Sequence, residues 1–381
     1  MKMAGELYYQ VTVKAGFTTY DLSDDLTSFT LDEEEGKPDA LTLRLADPYR
    51  VLSHALQEGM EVEVDLGTTD DHALIFSGDI HRTQADFPEG GVPTLSVQAY
   101  DRAMRMGLRE RNRTWSGAGL DLSDIVAQVA APHGFGTVDV QLAGNPTFEE
   151  NGIRQRDETD LAFLLRLARD WACQMYAKPE GNHTLRFVSQ HHVMTERELV
   201  TLHYGRCGAD GHLLSLEAHS DITEVVRPRV FAGIDYDTGE RVDPATAEPR
   251  EVADTEDEFM DENLAEFRSR EPERAAALTL LLSSAAGSRS DMVERLRRPH
   301  REPTHSFITR EHRDARKRND YSTRLLGMRA SGTTHGNIRI HAQAAVRLSD
   351  VGGRLSGTWF LSRVRHQVDG QGYRTDFDCR R

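Results

Sequence analysis

The sequence has little cysteine and no long hydrophobic run, and each of these features excludes a class of protein. Cys173, Cys207 and Cys379 are far apart and form no Cys-x-x-Cys pair, so neither a disulfide framework nor a zinc ribbon is indicated. No apolar run approaches the ~20 residues of a membrane-spanning helix, so we expect no membrane insertion. The first residues lack the apolar core of a secretory signal, so we expect a cytoplasmic protein during assembly.

Signatures of catalysis and cofactor binding are also missing. The sequence contains no Gly-x-Ser-x-Gly, no phosphate-loop pattern and no His-Glu-x-x-His. Carboxylate pairs such as Glu149–Glu150 and Asp70–Asp71 lie beside turn residues, where an acidic chain places them by chance. Histidines at several positions form no Cys/His cluster: His191, His192, His203, His212, His219, His305 and His312. We predict no catalytic, cofactor-binding or metal-binding residues, and no cofactor.

Acidic side chains outnumber basic ones in the sequence. The formal net charge is -16, which argues against specific or general nucleic-acid binding because phosphate neutralisation needs a basic surface. Plain solubility explains such a charge. The alternative is that acidic side chains line a channel and keep DNA from adhering to it.

Residues 1–105 are predicted to form a first β-barrel or closed sandwich. Short alternating segments with Gly, Pro and Asp between them indicate strands. The predicted strands are residues 8–14, 26–31, 40–46, 61–66, 73–82 and 94–100. Residues 32–38 are predicted to be an acidic turn, and residues 51–56 a short helical stretch.

Residues 106–205 are predicted to form an α/β domain. Ser123 is a candidate N-cap for a helix over residues 124–131, which Gly134 would end. A longer helix is predicted over residues 157–178, with Asp157 or Thr159 as its cap. Apolar side chains at three- and four-residue spacing predict that it belongs to the core. They are Leu161, Leu164, Leu165, Ala168, Trp171 and Met175. Pro179 and Gly181 would end this helix before a strand over residues 184–188.

Residues 206–381 are predicted to form a second barrel with a charged insertion at about 240–330. Its predicted strands are residues 213–218, 224–235, 337–346 and 357–378. The insertion is acidic over residues 248–262 and basic later, and residues 275–286 are predicted to be a buried helix. The acidic part is either a solvated loop or a loop that orders on a neighbouring subunit. The basic residues are Arg295, Arg297, Arg298, Arg301, Arg310, Arg313, Arg316, Lys317 and Arg318. No internal repeat of fixed period is visible.

Four weak motifs, in one order over residues 40–380, together resemble the phage late control protein D family. This family includes the baseplate hub of contractile phage tails and the N-terminal part of VgrG-like spike proteins. The motifs are Gln155 with Glu158-Thr159-Asp160-Leu161-Ala162-Phe163, Phe76-Ser77-Gly78-Asp79-Ile80, Asp121-Leu122-Ser123-Asp124-Ile125-Val126 with His133-Gly134-Phe135, and a closing hairpin over residues 357–377.

The resemblance implies an α+β, mainly β fold with two tail-tube-like β-barrels, an intervening α/β domain and a charged insertion. It implies a non-enzymatic homotrimer that joins a hexameric inner tube to a trimeric spike beside other baseplate proteins, in a phage tail or injection particle. The sequence ends at Arg381, after the second barrel, so we expect a separate spike protein. The ring lumen should be acidic or neutral, with residues 32–35 as a candidate loop near a ring face.

Two other classes stay open. A machine-associated cell-wall hydrolase or peptidase would need convergent catalytic groups, and a carbohydrate- or peptide-binding β protein would need a recognition surface. The sequence does not choose between phage, bacteriocin and extracellular injection system, and it identifies neither spike nor cargo.

Overall fold

A computed structural model describes residues 6–148, 152–195, 200–205, 211–221, 229–234, 241–246, 265–281, 300–301, 309–320 and 327–381. The strands are β1 Leu7–Ala15, β2 Thr18–Asp21, β3 Leu26–Glu34, β4 Ala40–Ala46, β5 Glu61–Thr68, β6 His72–Asp86, β7 Thr94–Asp101, β8 Glu110–Trp115, β9 Thr137–Gln141, β10 Ile153–Thr159, β11 Cys173–Lys178, β12 Thr184–Ser189, β13 Thr201–Tyr204, β14 His212–Ser220, β15 Arg229–Ile234, β16 Arg241–Thr246, β17 His300–Arg301, β18 Met328–His335, β19 Ala345–Ser349, β20 Gly357–Asp369 and β21 Gly372–Arg380.

In the described part of the chain the helices are fewer than the strands. They are α1 Leu52–Ala55, α2 Leu122–Ala130, α3 Asp160–Asp170, α4 Glu180–His183, α5 Gln190–Thr195 and α6 Arg310–Asn319. Residues 265–270 and 272–281 are also helical. Among the described residues, no helix is long and apolar enough to cross a membrane.

Thirteen strands form one continuous sheet, in the order β19-β13-β14-β18-β21-β20-β3-β4-β7-β6-β5-β1-β2. β19 also pairs with β20, which closes the second barrel. The first barrel is the part from β3 to β2, which wraps around its own core. The strands between the barrels in sequence, β8 to β12, form two small sheets that pack with α2 and α3. The predicted α+β, mainly β class with two barrels and an intervening α/β layer is confirmed.

Alternation of apolar and polar side chains explains why these strands form. In β4, Leu41, Leu43 and Leu45 are buried while Thr42 and Arg44 point outward, so one face of the sheet covers the core. The buried cores draw on residues 11–99 with Val368, on residues 103–187, and on residues 200–379. The domain boundaries predicted from the sequence stay a prediction.

The two barrels repeat the same five-stranded unit. The order β3-β4-β7-β6-β5 in the first matches β14-β18-β21-β20-β19 in the second, with the same chain order and the same antiparallel pairings. Two bulges of the unit match as well, whereas a further register shift in β6 at Ile75 has no counterpart in β20. β6 carries a bulge at His81 and β20 carries one at Ser362. β3 carries a bulge at Thr27 and β14 carries one at Leu214. The repeat therefore fixes which residues are equivalent, although the sequence has no visible period.

The connections between equivalent strands differ. A short turn joins β3 to β4, whereas the charged insertion, residues 221–327, joins β14 to β18. The end of this insertion is ordered on the α/β layer. Asn319 at the end of α6 exchanges two hydrogen bonds with the backbone of Gly144, at 2.8 and 2.9 Å. His312 contacts the carbonyl oxygen of Thr147 at 2.6 Å and packs edge-on against Trp171.

The long helix predicted over residues 157–178 is wrong at both ends. Thr159, one of the two candidate caps, accepts a hydrogen bond from the amide of Ala162 and starts α3. The chain then turns at Ala172, whose φ is +53°, and residues 173–178 form β11, paired with β12. Leu164 is fully buried as predicted, while Leu165 is half-buried. Cross-strand pairing therefore overrides the helical periodicity beyond residue 170.

Other local predictions also need correction. The N-cap of α2 is Asp121, in a capping box with Asp124, rather than Ser123. β15 belongs to a separate sheet with β16 and β17. The predicted strand over residues 337–346 is wrong except at its end, because β18 stops at His335 and β19 begins at Ala345. Residues 275–281 are helical as predicted and Ala275 is buried, but the predicted burial is wrong for Leu280 and Leu281, which are exposed. Residues 248–262, Arg295, Arg297, Arg298 and His305 lie outside the described residues.

Candidate assembly surfaces

The two barrels are joined by direct pairing of β20 with β3, from Arg363 opposite Glu34 to Val368 opposite Phe29. On the inner face, Val368 is buried within the first core. On the outer face, Arg365 donates two hydrogen bonds to Asp32, at 2.8 and 3.2 Å, and the bond to Asp32 raises the pKa of Arg365. We refer to this pairing as the barrel junction.

Residues 32–35 were predicted as part of an acidic turn and as a loop near a ring face; the structure corrects the turn and the loop, while a place near a ring face stays a prediction. Asp32, Glu33 and Glu34 belong to β3. Arg363 and Arg365 both donate to Asp32, and Arg380 donates to Glu35 at 3.0 Å. These carboxylates are therefore partnered inside the chain at the barrel junction, because β20 and β21 present arginines to them.

Beneath the barrel junction, ionisable side chains from all three cores meet in a buried cluster. Glu33 accepts a hydrogen bond from the amide of Ala342 at 2.7 Å, and its carboxylate lies 4.0 Å from the imidazole of His366. Lys178, from β11, lies 3.4 Å from Nε2 of His341. Asp101 caps the turn after β7 through the amide of Ala103 and also accepts from the amide of Asp39.

Burial dominates the protonation of this cluster. It raises the pKa of Glu33 to about 7 and that of Asp101 to about 7. Burial, together with the neighbouring carboxylates, raises the pKa of Asp39 well above its usual range. It lowers the pKa of His341 to about 3, with help from the charge of Lys178, and that of His366 to about 4. Both imidazoles are therefore neutral at pH 7. Because the cluster lies where the three cores meet, its protonation affects how the cores pack together.

A second buried network explains the Thr-Asp-Leu motif of the sequence. The carboxylate of Asp160, 1% exposed, receives hydrogen bonds from Gln155, Arg113 and His133, the last at 2.9 Å. Burial raises the pKa of Asp160, but hydrogen bonds from Gln155 and His133 and the charge of Arg113 outweigh it and lower the pKa. The motif therefore fixes the first turn of α3 against β8 and β10.

Exposed apolar side chains concentrate at one end of the first barrel. Ala46 pairs with Thr94, and the amide of Asp47 donates to the carbonyl of Pro93 at 2.8 Å, which places residues 47–51 beside residues 87–93. The two loops expose Tyr49, Val51, Phe87 and Val92, each more than half accessible. Apolar groups concentrated in this way mark protein–protein contacts.

The histidines singled out in the sequence make separate contacts. His203 bonds Asp350 at 2.7 Å, His192 bonds Ser189 at 2.8 Å, and His312 packs on the α/β layer. Within the described ranges, no group of His, Cys, Asp and Glu side chains is arranged to hold a metal ion. Sequence reasoning named residues 32–35, the acidic residues 248–262 and the closing hairpin as candidates for assembly, but it named no free strand edge, because such edges carry no signal in composition or spacing.

Comparison with known protein families identifies the family to which the chain belongs. The model of the phage tail baseplate hub (GPD) family matches residues 40–372. The chain belongs to this baseplate hub family. The resemblance read from the four motifs is thereby confirmed. No curated protein sequence matches the chain.

Solved structures similar to this hub-family chain have the same fold. A tail protein from Neisseria meningitidis MC58 is 14% identical, with a TM-score of 0.62, over 98% of this chain and 96% of that one. The 43 kDa tail protein of prophage MuSo2 from Shewanella oneidensis is 14% identical, with a TM-score of 0.61, over 98% of both chains. A component of the E. coli type VI secretion system is 11% identical, with a TM-score of 0.51, over 93% of this chain and 73% of that one.

Proposed function

We propose that three copies of this chain form a ring that joins the hexameric inner tube of a contractile tail or injection machine to a separate trimeric spike. Its role is structural and not enzymatic. The observation that carries the proposal is the repeat of the five-stranded unit, with matching bulges, in the two barrels. Membership of the baseplate hub family supports it.

The repeat supports a ring of three because two equivalent barrels in each chain give six similar units. A ring of six units matches a sixfold tube on one face, while the chains themselves keep the threefold symmetry of a spike on the other. We propose that the repeated units correspond to domains at residues 1–105 and 206–381, with residues 106–205 between them. The ring would assemble in the cytoplasm and then become part of the particle, beside other baseplate proteins.

Solution mass tests the proposal directly. We expect a mass of three chains by light scattering, alone or after addition of the candidate tube protein and spike. Obligate rings bury on the order of 2,000 Å² or more per interface, so the trimer should persist at micromolar concentration. A stable monomer in the presence of both partners would overturn it. The lumen is expected to be acidic or neutral, and strong salt-sensitive binding of the assembled ring to DNA would contradict that expectation.

A further inference from the structure

Among the described residues, the second half of β6 has one edge without a partner strand, whereas the equivalent edge of β20 in the other barrel is paired. In β20, residues 357–360 pair with β19, and residues 363–368 then pair with β3 on the same side. In β6, residues 72–79 pair with β5 in the matching way. Ile80 exchanges backbone hydrogen bonds with Gly59 and Met60, as its equivalent Leu361 does with Gln343 and Ala344. Beyond Ile80, among the described residues, residues 82–86 pair with β7 alone, and the hydroxyl of Thr83 donates to the carboxylate of Glu58. This half-strand is the β6 edge.

The strand that would complete the pattern is β14, the counterpart of β3. On one side β14 pairs with β18 along its length. On its other side, within the described residues, it pairs with β13 only at His212 and Leu213. Residues 215–220 therefore present an open edge, the β14 edge, at the place where β3 receives β20. One chain thus carries both halves of a second barrel junction, one on each barrel.

We infer that the β6 edge of one copy pairs with the β14 edge of the next copy, in the register of the barrel junction. This inference rests on the proposed ring. The matched bulges set the register: Arg82, Gln84 and Asp86 are equivalent to Arg363, Arg365 and Gln367. In β14, Glu217 is equivalent to Thr30 and His219 to Asp32. Gln84 therefore faces His219 of the next copy, as Arg365 faces Asp32 within one chain.

The inference also accounts for an exposed aromatic side chain. Phe87 is equivalent to Val368, which is 5% exposed and packs in the first core opposite Phe29. The counterpart of Phe29 in β14 is Leu216, which is half-buried at the edge of the third core. Pairing of the two edges places Phe87, 57% exposed in one chain, against Leu216 of the next copy. The contact is head-to-tail, so closure of the ring removes both open edges.

One facing pair differs in charge from the equivalent pair of the barrel junction. Asp86 faces Glu217 of the next copy, whereas the equivalent residues within one chain are Gln367 and Thr30. Like charges directly opposite on neighbouring strands weaken a pairing. Glu217→Thr, which restores the residue found in β3, should therefore tighten association about two- to fivefold. Phe87→Ser should weaken it by more than tenfold, because it removes the apolar contact.

Disulfide trapping tests the register. In a Cys207→Ser background, Gln84→Cys is combined with His219→Cys as the matched pair, or with Ser215→Cys as the control pair. Ser215 lies four residues back along the same strand, about 13 Å away, beyond the reach of a disulfide. We expect the matched pair to give covalent dimers and trimers that reductant reverses, and the control pair to stay unlinked. A mixture of the two single-cysteine chains should give dimers and no larger species.

The outcomes separate this inference from the proposed ring. A trimeric mass with cross-linking of the matched pair supports both. A trimeric mass without cross-linking, or with cross-linking of the control pair instead, overturns the register and leaves the ring standing. A monomer with tube and spike present overturns both. Unchanged association constants for Phe87→Ser and Glu217→Thr would also overturn the pairing, since both side chains would then lie outside the contact.

Discussion

The two barrels keep the same strand frame but connect it differently. The turn between β3 and β4 spans residues 35–39, whereas the equivalent connection between β14 and β18 spans residues 221–327. The frame tolerates this because loop-closure entropy grows slowly with loop length. The comparison teaches that side-chain alternation and matched bulges define the unit, while the connections are free to acquire new contacts.

The barrels also fill equivalent core positions with side chains of different size. Trp359 in β20 is fully buried, and its equivalent in β6 is Gly78, where an added Cβ would lie 2.0 Å from the carbonyl oxygen of Tyr100. The pair Leu43 and Val97 corresponds to Gly332 and Phe377, whose ring fills the space over the glycine. Equivalent positions therefore exchange large and small side chains, so each barrel packs its core in its own way.

The largest expected effect comes from removing the strands that the barrels share. A chain truncated after Leu355 loses β20 and β21, so the second barrel cannot close and β3 loses one of its two partner strands, keeping β4. We expect loss of soluble folded protein by circular dichroism, and no complete particles when it is expressed with tube and spike proteins. Gln371→Ala, at the turn of the same hairpin, is the control and should assemble normally. Complete particles from the truncated chain would rule out the role of this hairpin.

Changing the size of the side chain at this one equivalent position should lower the stability of either barrel. Trp359→Ala leaves a cavity in the third core and should cost about 3–5 kcal/mol in free energy of unfolding. Gly78→Ala forces a methyl group against the backbone of Tyr100 and should cost about 1–3 kcal/mol. Denaturant melts measure both. Gly370→Ala, where an added Cβ meets open space, is the control. A neutral Gly78→Ala would show that β6 and β7 can move apart enough at this position to accept the methyl group.

The ordered end of the insertion gives a smaller, local effect. Asn319→Ala removes both hydrogen bonds to Gly144 and leaves buried backbone groups without them, at a cost of about 1–3 kcal/mol. We expect faster proteolysis and hydrogen exchange over residues 309–320, with unchanged protection of β18 and β21. Lys317→Ala, exposed on the same helix, is the matched control. Equal exchange in the two variants would mean that other contacts hold α6 in place.

Sequence patterns predicted the strands of the first barrel well because each buries one face: β4 was predicted with its observed bounds. They failed where partners distant in sequence decide the conformation. Residues 173–178 continue a helical pattern but pair with β12, and residues 32–34 look like a turn but lie in β3, held by Arg363 and Arg365. The repeat was invisible because equivalent positions exchange Leu for Gly or Gly for Trp. The open edges were invisible because pairing is a backbone property.

The smallest expected effect concerns pH and the cluster beneath the barrel junction. Glu33 has a pKa of about 7, raised by burial from its usual 4.5, so its folded form holds a proton more tightly than its unfolded form. Its contribution to stability is therefore full below pH 4.5 and is lost as pH rises through about 7. Glu33→Gln cannot ionise and keeps an acceptor for the amide of Ala342. The variant should therefore gain stability relative to the parent between pH 5 and pH 8, by on the order of 1–3 kcal/mol.

Thermal melts across that range measure the difference. The pKa values of Asp101 and Asp39 are also raised, chiefly by burial, so both groups add to the loss of stability at high pH in both proteins. His341 and His366 have lowered pKa values, so their contribution is lost as pH falls from 6.5 towards about 4, and it cancels in the comparison. Glu34→Gln, on the outer face of β3, is the matched control and should follow the parent. Parallel profiles for Glu33→Gln and the parent would show that Glu33 does not change its protonation at the barrel junction in this range, so that any remaining pH dependence comes from the other groups of the cluster.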